Sequence, residues 1–427
     1  MKIKTYESFN ETLYTKVLKN GLKVNILPKK DYERAYGIIT TDYGSIDNEF
    51  VPYAKNEMQK FPAGIAHFLE HKLFEKENYD AFELFGKYGA DSNAFTSFTR
   101  TSYLFSASQN IKESLKILLD FVFDPYFSKK SVEKEKGIIG QEIMMYQDEP
   151  GWQLYSGILS NLYPQSALSD DIAGTVESIS KITVEDLYAC YETFYQPQNM
   201  NLFLVGNYDV NTTFKLIDEI MVQKEFQPIQ KINRKPLEIK PVIKERVKYM
   251  EVQRPKIALG IRGLESYKGK EGLKFKMKMQ LLLSVLLGEN SKYYLDLYNQ
   301  NVVDDSFGFD FQLERGFNFA LLSTNTSKIE DFISSIQKIL KNAPRILTES
   351  KEEFELEKRE FLGSIIKSMD SLESIANRYE GKLFDDATIF DMAEILEEIR
   401  LDDLIEISQK YFDEERMSVF KILPKEK

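Results

Sequence analysis

The feature of this sequence that most constrains its fold is an internal repeat. Residues 182–205 read ITVEDLYACYETFYQPQNMNLFLV, and residues 399–422 read IRLDDLIEISQKYFDEERMSVFKI. Placing Ile182 on Ile399 aligns the two segments without a gap and sets acidic residues, aromatic residues and one methionine opposite their own kind. Each copy has an acidic first turn, a helical period and then a β-rich run. Two helix–strand segments could look alike by chance, but the ungapped length favours a duplication.

A second pair of segments supports the duplication. The run LFGKYGADSNAF begins at Leu84 and resembles LYNQNVVDDSFG, which begins at Leu297. In both pairs the two copies are separated by close to half of the 427 residues, so we expect two tandem homologous domains. We place the first domain at residues 1–226 and the second at residues 248–427. Residues 227–247, rich in proline and charge and without a helical period, are expected to form a linker.

Each half mixes segments of β-strand character with amphipathic helical segments. Paired strands with helices packed on one face are typical of a layered architecture. The predicted fold class is therefore α+β, with two tandem homologous domains that each contain a mostly antiparallel sheet with helices on one face.

Composition narrows the classes of protein that this chain could be. The formal net charge of −11 argues against a protein that binds a nucleic-acid backbone through a basic face. No apolar run reaches the roughly 18 residues that a membrane span needs, and the N-terminal residues lack the apolar core of a signal peptide. Cys190 is the only cysteine, as in proteins of a reducing compartment. We therefore expect a cytoplasmic protein that binds neither nucleic acid nor membrane.

The chain has only two histidines, His67 and His71, and both lie in the segment GIAHFLEHKLF at residues 64–74. Positions i and i+4 of a helix share one face, so the two imidazoles can reach one tetrahedral zinc ion. Glu70 lies beside them in the order H-x-x-E-H, which places a carboxylate next to a metal-bound water. A histidine pair can also serve packing alone, and the motif is short. The absence of other histidines makes the zinc interpretation more specific.

A catalytic zinc ion usually has three protein ligands, and this chain has no third histidine. The third ligand must therefore be a carboxylate or Cys190. The predicted helix SVEKEKGIIGQEIMMYQ, at residues 131–147, offers Glu135 and Glu142, two turns apart on one face. Taken alone, these glutamates could be ordinary solvated side chains. Cys190 has aromatic neighbours in a predicted helix and is typical of a buried core cysteine.

The second half of the chain has no comparable set of residues. When Leu84 is aligned with Leu297, the two histidines and Glu70 fall on Gln280, Ser284 and Leu283. When the helix of Glu142 is aligned through ELEKREFLGSI, Glu142 falls near Ser364. The apolar neighbours of the motif are kept, so the second domain is expected to retain the fold without the metal motif.

These segments resemble the pitrilysin/insulinase family of zinc peptidases, the inverzincins, over nearly the whole chain. The resemblance is carried by GIAHFLEHKLFE (64–75), DSNAFTSFTRTSYLFS (91–106), VEKEKGIIGQEI (132–143) and ITVEDLYACYETFYQPQNMNLFLVGN (182–207). The length resembles that of the short bacterial and mitochondrial-processing-type members, which carry two homologous domains in each chain.

The resemblance implies a role for each residue of the motif. The family's two histidine ligands fall on His67 and His71, and its distant glutamate ligand falls on Glu142, so Zn²⁺ is the implied cofactor. The family's catalytic glutamate falls on Glu70. The supporting glutamate of the distant helix falls on Glu135, which would orient a ligand or the water.

The resemblance also implies how substrate and partners bind. In this family a peptide adds to an edge strand through backbone hydrogen bonds, and that strand falls on SNAFTSF, with Asn93, Ala94 and Phe95 nearest the scissile bond. An ordinary sheet strand is the alternative. The family's Arg/Tyr substrate clamp is not evident, because Arg315 lies in the matching region without a suitable tyrosine after it. Short members often work as dimers around an enclosed cleft, and some pair an active chain with an inactive homologue, so we expect a homodimer or a heterodimer with a homologous subunit, active or inactive.

The predicted function is therefore a zinc-dependent endopeptidase that hydrolyses unfolded peptides or oligopeptides in an enclosed cleft. Glu70 is predicted to be the general base that takes a proton from the zinc-bound water. A catalytically silent subunit that binds peptide or acts as a scaffold in a peptidase complex is the alternative. A structural zinc site would need a fourth protein ligand, for which Cys190 is the only thiol.

Overall fold

A computed structural model of the chain describes residues 1–263 and 266–425. Its strands are β1 Lys2–Tyr6, β2 Glu11–Val17, β3 Lys23–Pro28, β4 Ala35–Thr41, β5 Glu49–Phe50, β6 Gln59–Lys60, β7 Ala90–Thr96, β8 Thr101–Ala107, β9 Met200–Gly206, β10 Glu245–Met250, β11 Lys256–Arg262, β12 Gly308–Glu314, β13 Phe317–Asn325 and β14 Met417–Pro424. Its helices are α1 Ile65–Phe74, α2 Ala81–Lys87, α3 Ile111–Val122, α4 Lys129–Asp148, α5 Pro150–Leu162, α6 Val176–Ser180, α7 Val184–Phe194, α8 Val210–Val222, α9 Gly269–Leu287, α10 Lys292–Asn299, α11 Ile329–Lys341, α12 Ala343–Thr348, α13 Lys351–Ser368, α14 Leu372–Asn377, α15 Ile389–Glu398 and α16 Leu401–Tyr411.

The chain divides into two compact units, each built on one main sheet. Unit 1 comprises residues 1–144, 170–236 and 370–379, and unit 2 comprises residues 145–169, 237–369 and 380–427. The sheet of unit 1 has the strand order β1-β2-β3-β9-β4-β8-β7, and the sheet of unit 2 has the order β10-β14-β11-β13-β12. Neighbouring strands are antiparallel except for one parallel pair in each sheet, β3 with β9 and β10 with β14. The predicted α+β class is therefore confirmed.

The repeat found in the sequence is a structural repeat. Helix α7 and strand β9 of unit 1 correspond to helix α16 and strand β14 of unit 2, and the alignment of Ile182 with Ile399 matches both ends of the two helices. The acidic first turns serve as caps, because Asp186 and Asp403 each accept a hydrogen bond from the backbone N–H three residues before them. The duplication thus extends to the way in which the helices begin.

The predicted contiguous domain boundaries differ from these units at two segments. Residues 145–169, which contain α5, belong to unit 2, and residues 370–379, which contain α14, belong to unit 1. Helix α5 packs on β11 and β14, where Gly157 and Gly260 leave room for its close approach. A Cβ atom at Gly157 would lie 2.3 Å from the Phe420 ring, and one at Gly260 would lie 2.8 Å from Ile158. Alignment of the repeat alone does not detect such an exchange of helices.

Helix α14 lies on the second face of the sheet of unit 1. Leu202 and Leu204 of β9 belong to the core of unit 1, whereas Phe203 between them contacts Tyr379, which follows α14. Side chains alternate between the two faces of a strand, so α14 covers the face opposite that core. Helices were predicted on one face of the sheet, and the structure adds the short helix α14 on the other face.

The predicted linker at residues 227–247 is extended and partly bound to unit 1. The Val51 N–H donates to the Asn233 carbonyl at 3.0 Å, and the Lys235 N–H donates to the Glu49 carbonyl at 2.9 Å. Strand β10 already begins at Glu245, inside the predicted linker range. Among the described residues, no helix combines the length and the apolar content needed to cross a bilayer.

Candidate metal centre

Helix α1 carries the two histidines and begins at a glycine that no other residue could replace easily. Gly64 has a φ of 90°, and a Cβ atom there would lie 2.4 Å from the Ala173 carbonyl oxygen. Phe68 and Leu69 are fully buried in the core of unit 1 and fix the orientation of the helix. The histidines therefore point to the opposite face, where they are partly exposed.

The structure brings His67, His71 and Glu142 together. One ligand atom from each residue lies within 4.8 Å of the others. The Nε2 atom of His67 lies 3.8 Å from one Glu142 carboxylate oxygen, and the Nε2 atom of His71 lies 3.7 Å from the other. The two ring centroids are 4.6 Å apart. Glu142 comes from α4, so two helices distant in sequence converge on one point.

This donor set fits a zinc ion. Two imidazoles and one carboxylate are typical ligands of catalytic zinc, which leaves its fourth position open. The two Nε2-to-carboxylate separations are too long for hydrogen bonds and lie near the roughly 3.4 Å between neighbouring ligands of a tetrahedral ion with bonds of about 2.1 Å. His67 is also in the neutral form that a metal needs, because burial and the nearby His71 lower its pKa to about 3.

Glu135 contacts the ring nitrogen of His71 that faces away from Glu142, and a buried lysine contacts Glu135 in turn. The Nδ1 atom of His71 lies 3.3 Å from one oxygen of Glu135, and the Nζ atom of Lys72 lies 3.4 Å from the other. Lys72 is fully buried and also donates to Glu75. A carboxylate that accepts from Nδ1 leaves Nε2 free to bind a metal. The Nδ1 atom of His67, in contrast, is buried without a hydrogen-bond partner among the described residues.

These contacts shift the pKa values of His71 and Glu135 in opposite directions. Burial alone lowers the pKa of His71, but its hydrogen bond to Glu135 and the charges of nearby glutamates outweigh burial and raise it. Burial alone raises the pKa of Glu135, but the hydrogen bond to His71 and the charge of Lys72 outweigh burial and lower it. Glu135 is thus held as an ionised acceptor.

Glu70 lies one residue before His71 and is almost fully buried. The hydroxyl of Thr96 donates to one of its carboxylate oxygens at 2.5 Å. Burial raises the pKa of Glu70 to about 7, although the Thr96 hydrogen bond opposes the shift. A carboxyl group that titrates near neutral pH can both take up and release a proton under working conditions.

Asn93, Ala94 and Phe95 lie on β7, which is the edge strand of the sheet in unit 1. β7 pairs with β8 on one side, and α1 packs against it. The side-chain oxygen of Asn93 accepts a hydrogen bond from the Ala94 N–H at 2.9 Å. The structure therefore places the three predicted substrate-binding residues on an open strand edge beside the helix that carries the histidines.

Two further candidates lie elsewhere. Cys190 is fully buried in the core of unit 1, where burial raises the pKa of its thiol, and it does not join the cluster of histidines and Glu142. Arg315 lies in the turn between β12 and β13 of unit 2. Sequence reasoning missed Thr96 and Lys72, both of which stand inside the segments that carried the resemblance. Two signals were available in the sequence. Lys72 is a charged residue next to the apolar residues Leu73 and Phe74, and Thr96 is a hydroxyl residue at the end of a predicted strand.

Comparison with known proteins identifies relatives of both halves of the chain. Residues 56–176 match the family described as "Insulinase (Peptidase family M16)", and residues 181–361 match "Peptidase M16 inactive domain". The zinc protease YmfH of Bacillus subtilis (strain 168), described as uncharacterized, is 45% identical over 423 residues, which cover 98% of this chain and 98% of YmfH. YmxG from the same organism, also described as an uncharacterized zinc protease, is 25% identical over 325 residues, or 74% of this chain and 76% of YmxG.

Solved structures share the fold. The crystal structure of an M16-like peptidase from Alicyclobacillus acidocaldarius is 30% identical and has a TM-score of 0.91, covering 97% of this chain and 99% of that one. A protease from Helicobacter pylori has a TM-score of 0.82 at 18% identity and covers 96% of this chain and 99% of its own, which supports the fold alone.

Proposed function

This chain belongs to the insulinase family of peptidases, family M16, and from that premise we propose that it is a zinc-dependent endopeptidase. One observation carries the proposal: two imidazoles and the Glu142 carboxylate meet within 4.8 Å, and Glu70 lies on the same helix as the imidazoles. The relatives named zinc proteases agree with this donor set.

His67, His71 and Glu142 would hold the zinc ion, and Glu135 would fix the ring of His71. When bound, zinc polarises a carbonyl group and lowers the pKa of water, so that hydroxide is available near neutral pH. Glu70 takes a proton from the attacking water at a carboxylate oxygen and later delivers it to the nitrogen of the leaving amine. In the metal-free protein, burial raises the pKa of this carboxyl group to about 7.

Unfolded peptides and oligopeptides are the proposed substrates. Among the described residues β7 pairs with a strand on one side only, so an extended peptide can add along its other side as a further strand. Asn93, Ala94 and Phe95 would then contact the residues around the scissile bond. Addition to a strand edge requires an extended peptide whose own backbone groups can form hydrogen bonds with β7. This mode of recognition therefore favours flexible segments over folded domains.

A catalytically silent peptide-binding subunit is the second candidate. It draws on the match of residues 181–361 to an inactive domain, which covers much of unit 2 but excludes His67, His71 and Glu142. The complete set of donors in unit 1 favours the enzyme. Pairing with a second copy or with a homologous subunit, and a cytoplasmic location, remain part of the proposal.

The test combines metal analysis with peptide cleavage. We expect the purified chain to bind one zinc ion, to cleave an unfolded quenched-fluorescence peptide and to lose that activity with a chelator. Glu70→Gln should keep the zinc and lose cleavage by about 100-fold or more, since general-base catalysis contributes about 10²–10⁴-fold. Cys190→Ser should retain both zinc and activity.

Zinc binding without cleavage by the chain alone, with activity restored by a homologous partner, would support the silent-subunit candidate. Loss of zinc from Cys190→Ser would instead indicate a structural site. Size-exclusion chromatography with light scattering on the same sample would establish whether the active form is a monomer, a homodimer or a mixed dimer.

A further inference from the structure

Thr96 contacts the proposed general base through a single well-defined hydrogen bond. Its hydroxyl lies 2.5 Å from the Oε2 atom of Glu70, and Thr96 is the last residue of β7. No other described side chain donates a hydrogen bond to the Glu70 carboxylate. We infer that Thr96 is a positioning residue: it holds Glu70 by Oε2, so that Oε1 remains available to the reacting water. This inference rests on the proposed function and deepens it.

The direction of this hydrogen bond follows from the neighbouring hydroxyl. Thr101 faces Thr96 across the β7–β8 pair, with their Oγ1 atoms 3.4 Å apart. Thr101 donates its own proton to the Tyr43 carbonyl oxygen at 2.9 Å. Thr101 therefore does not donate to Thr96, and the Thr96 hydroxyl donates its proton to the much nearer Glu70 oxygen, which as a carboxylate can only accept.

The backbone that carries Thr96 is fixed by the turn after it. The Ser97 N–H donates to the Arg100 carbonyl at 2.8 Å and closes the turn between β7 and β8. The carbonyl oxygens of Ser97 and Phe98 accept from the N–H groups of Ser45 and Ile46, both at 3.0 Å. Thr96 thus lies between the paired strand β7 before it and this hydrogen-bonded turn after it, as suits a residue that positions another side chain.

The internal repeat provides an independent argument. The counterpart of Glu70 in unit 2 is Leu283, and the β7–β8 and β12–β13 hairpins correspond at an offset of 217 residues, four more than at Leu84 and Leu297, which makes Leu313 the counterpart of Thr96. The pairing register agrees, because Thr96 faces Thr101 and Leu313 faces Asn318. Both leucines are buried. Where the repeat lacks the carboxylate it also lacks the hydroxyl, which is expected if the hydroxyl serves the carboxylate and not the fold.

The experiment compares Thr96→Val, which removes the hydroxyl, with Thr96→Ser, which keeps it. We expect Thr96→Val to lower kcat by about 10–100-fold with little change in KM, because a misplaced base weakens proton transfer more than peptide binding. Zinc affinity, measured by competition with a chromogenic chelator, should stay within about twofold, since Glu70 is not a ligand. Thr96→Ser should return kcat to within about threefold of the parent.

Thr40→Val is the matched control. Thr40 lies on β4 of the same sheet, and its hydroxyl contacts Ser102 at 2.8 Å without contacting Glu70. It should leave kcat within about twofold of the parent value. A crystal structure of the metal-free Thr96→Val protein provides a readout that does not depend on activity: the Glu70 carboxylate should leave its present position, and in Thr96→Ser it should not.

Several outcomes would overturn the inference. If the parent cleaves peptide and Thr96→Val retains its kcat, Thr96 does not position Glu70. If kcat and zinc affinity fall in parallel, or if Thr40→Val has the same effect, the threonine supports the fold only. If the parent itself binds zinc but cleaves nothing, the proposed function fails, and an unmoved Glu70 in the metal-free variant would show separately that the positioning role fails.

Discussion

Units 1 and 2 build the same frame from three elements, but only in unit 1 does this frame carry the two imidazoles and the carboxylate that are proposed to bind zinc. The frame consists of α1, α4 and β7 in unit 1 and of α9, α13 and β12 in unit 2. Even the edge strands share a detail: Asn93 accepts a hydrogen bond from the next N–H at 2.9 Å, and its counterpart Asp310 does the same at 2.8 Å. A frame can therefore be kept while its chemistry changes.

The buried carboxylate of each frame illustrates the difference. Glu135 of unit 1 is paired with His71 and Lys72, whereas its counterpart Glu357 in unit 2 accepts from Ser284 and contacts Asn290 at 3.5 Å. Both glutamates remain buried, at 8% and 7% exposure. A hydroxyl can donate a hydrogen bond to a buried carboxylate, as Ser284 does. An imidazole can do the same with one ring nitrogen and bind a metal with the other, so that the carboxylate orients a metal ligand.

Unit 2 has a cavity of about 280 Å³ where its frame corresponds to the metal centre. Gln280, Leu283, Ser284 and Ser364, the counterparts of the three motif residues and Glu142, all line it. Unit 2 thus has a cavity at the corresponding place but lacks the two imidazoles and the carboxylate of unit 1. Matched substitutions in the two units can test whether the donors alone make the difference.

The largest contrast is expected between Glu142→Ala and Ser364→Ala. Removal of the third ligand should release the zinc and lower peptidase activity by about 1,000-fold or more, because the ion contributes several kcal/mol and each 1.36 kcal/mol is tenfold. Ser364→Ala should leave both quantities unchanged. Metal analysis and cleavage assays on the two variants measure this. Equal losses would mean that the counterparts are not functionally distinct.

Zinc should slow hydrogen exchange in the frame of unit 1 and not in the frame of unit 2. At a free zinc concentration of about 100 times Kd, binding stabilises the zinc-competent state by about 2.7 kcal/mol, which corresponds to roughly 100-fold slower exchange through local opening. We expect this slowing in peptides from α1 and α4 and none in peptides from α9 and α13, measured by hydrogen–deuterium exchange. Protection spread evenly over both units would contradict a site confined to unit 1.

Lys72→Met tests the buried cation that contacts Glu135. The counterpart of Lys72 in unit 2 is Val285. Loss of this charge should loosen Glu135 and weaken zinc binding by about 10–100-fold, as is typical when the partners of metal ligands are removed. Lys76→Met is the matched control, because Lys76 is also buried but donates to the Asp124 carbonyl. Chelator competition on the folded fraction of each variant gives the affinities. A similar loss in both variants would point to general destabilisation.

The smallest effect concerns pH. His71 must lose its proton to bind zinc, and its pKa in the metal-free protein is raised above the ordinary value of 6.5. Zinc affinity should therefore rise with pH and fall by up to about tenfold per pH unit once the pH drops below that pKa. Titration at several pH values measures the slope. Glu135→Gln, which removes the negative charge but keeps an oxygen acceptor, should move the fall to lower pH, whereas Glu357→Gln should not.

The sequence predicted the site in part. The spacing of His67 and His71 was sufficient to place them on one helical face, since a helix fixes that relation locally. Spacing alone narrowed the third donor to Glu135, Glu142 or Cys190, and the family resemblance then assigned Glu142. Thr96 and Lys72 carried no periodic signal, because their importance comes from contacts with residues 26 and 63 positions away in the chain.

The sequence by itself determined the duplication, the α+β class and the helical faces, because all of these follow from local periodicity and from similarity between segments. Local patterns left open which glutamate faces the imidazoles; the family resemblance implied Glu142, and the tertiary structure brings that residue to them. The packing of α4 against α1 brings Glu142 to both Nε2 atoms and Glu135 to the Nδ1 atom of His71. Packing also decided the exchange of α5 and α14 between the units. Both depend on contacts between segments far apart in the chain, which no local pattern encodes.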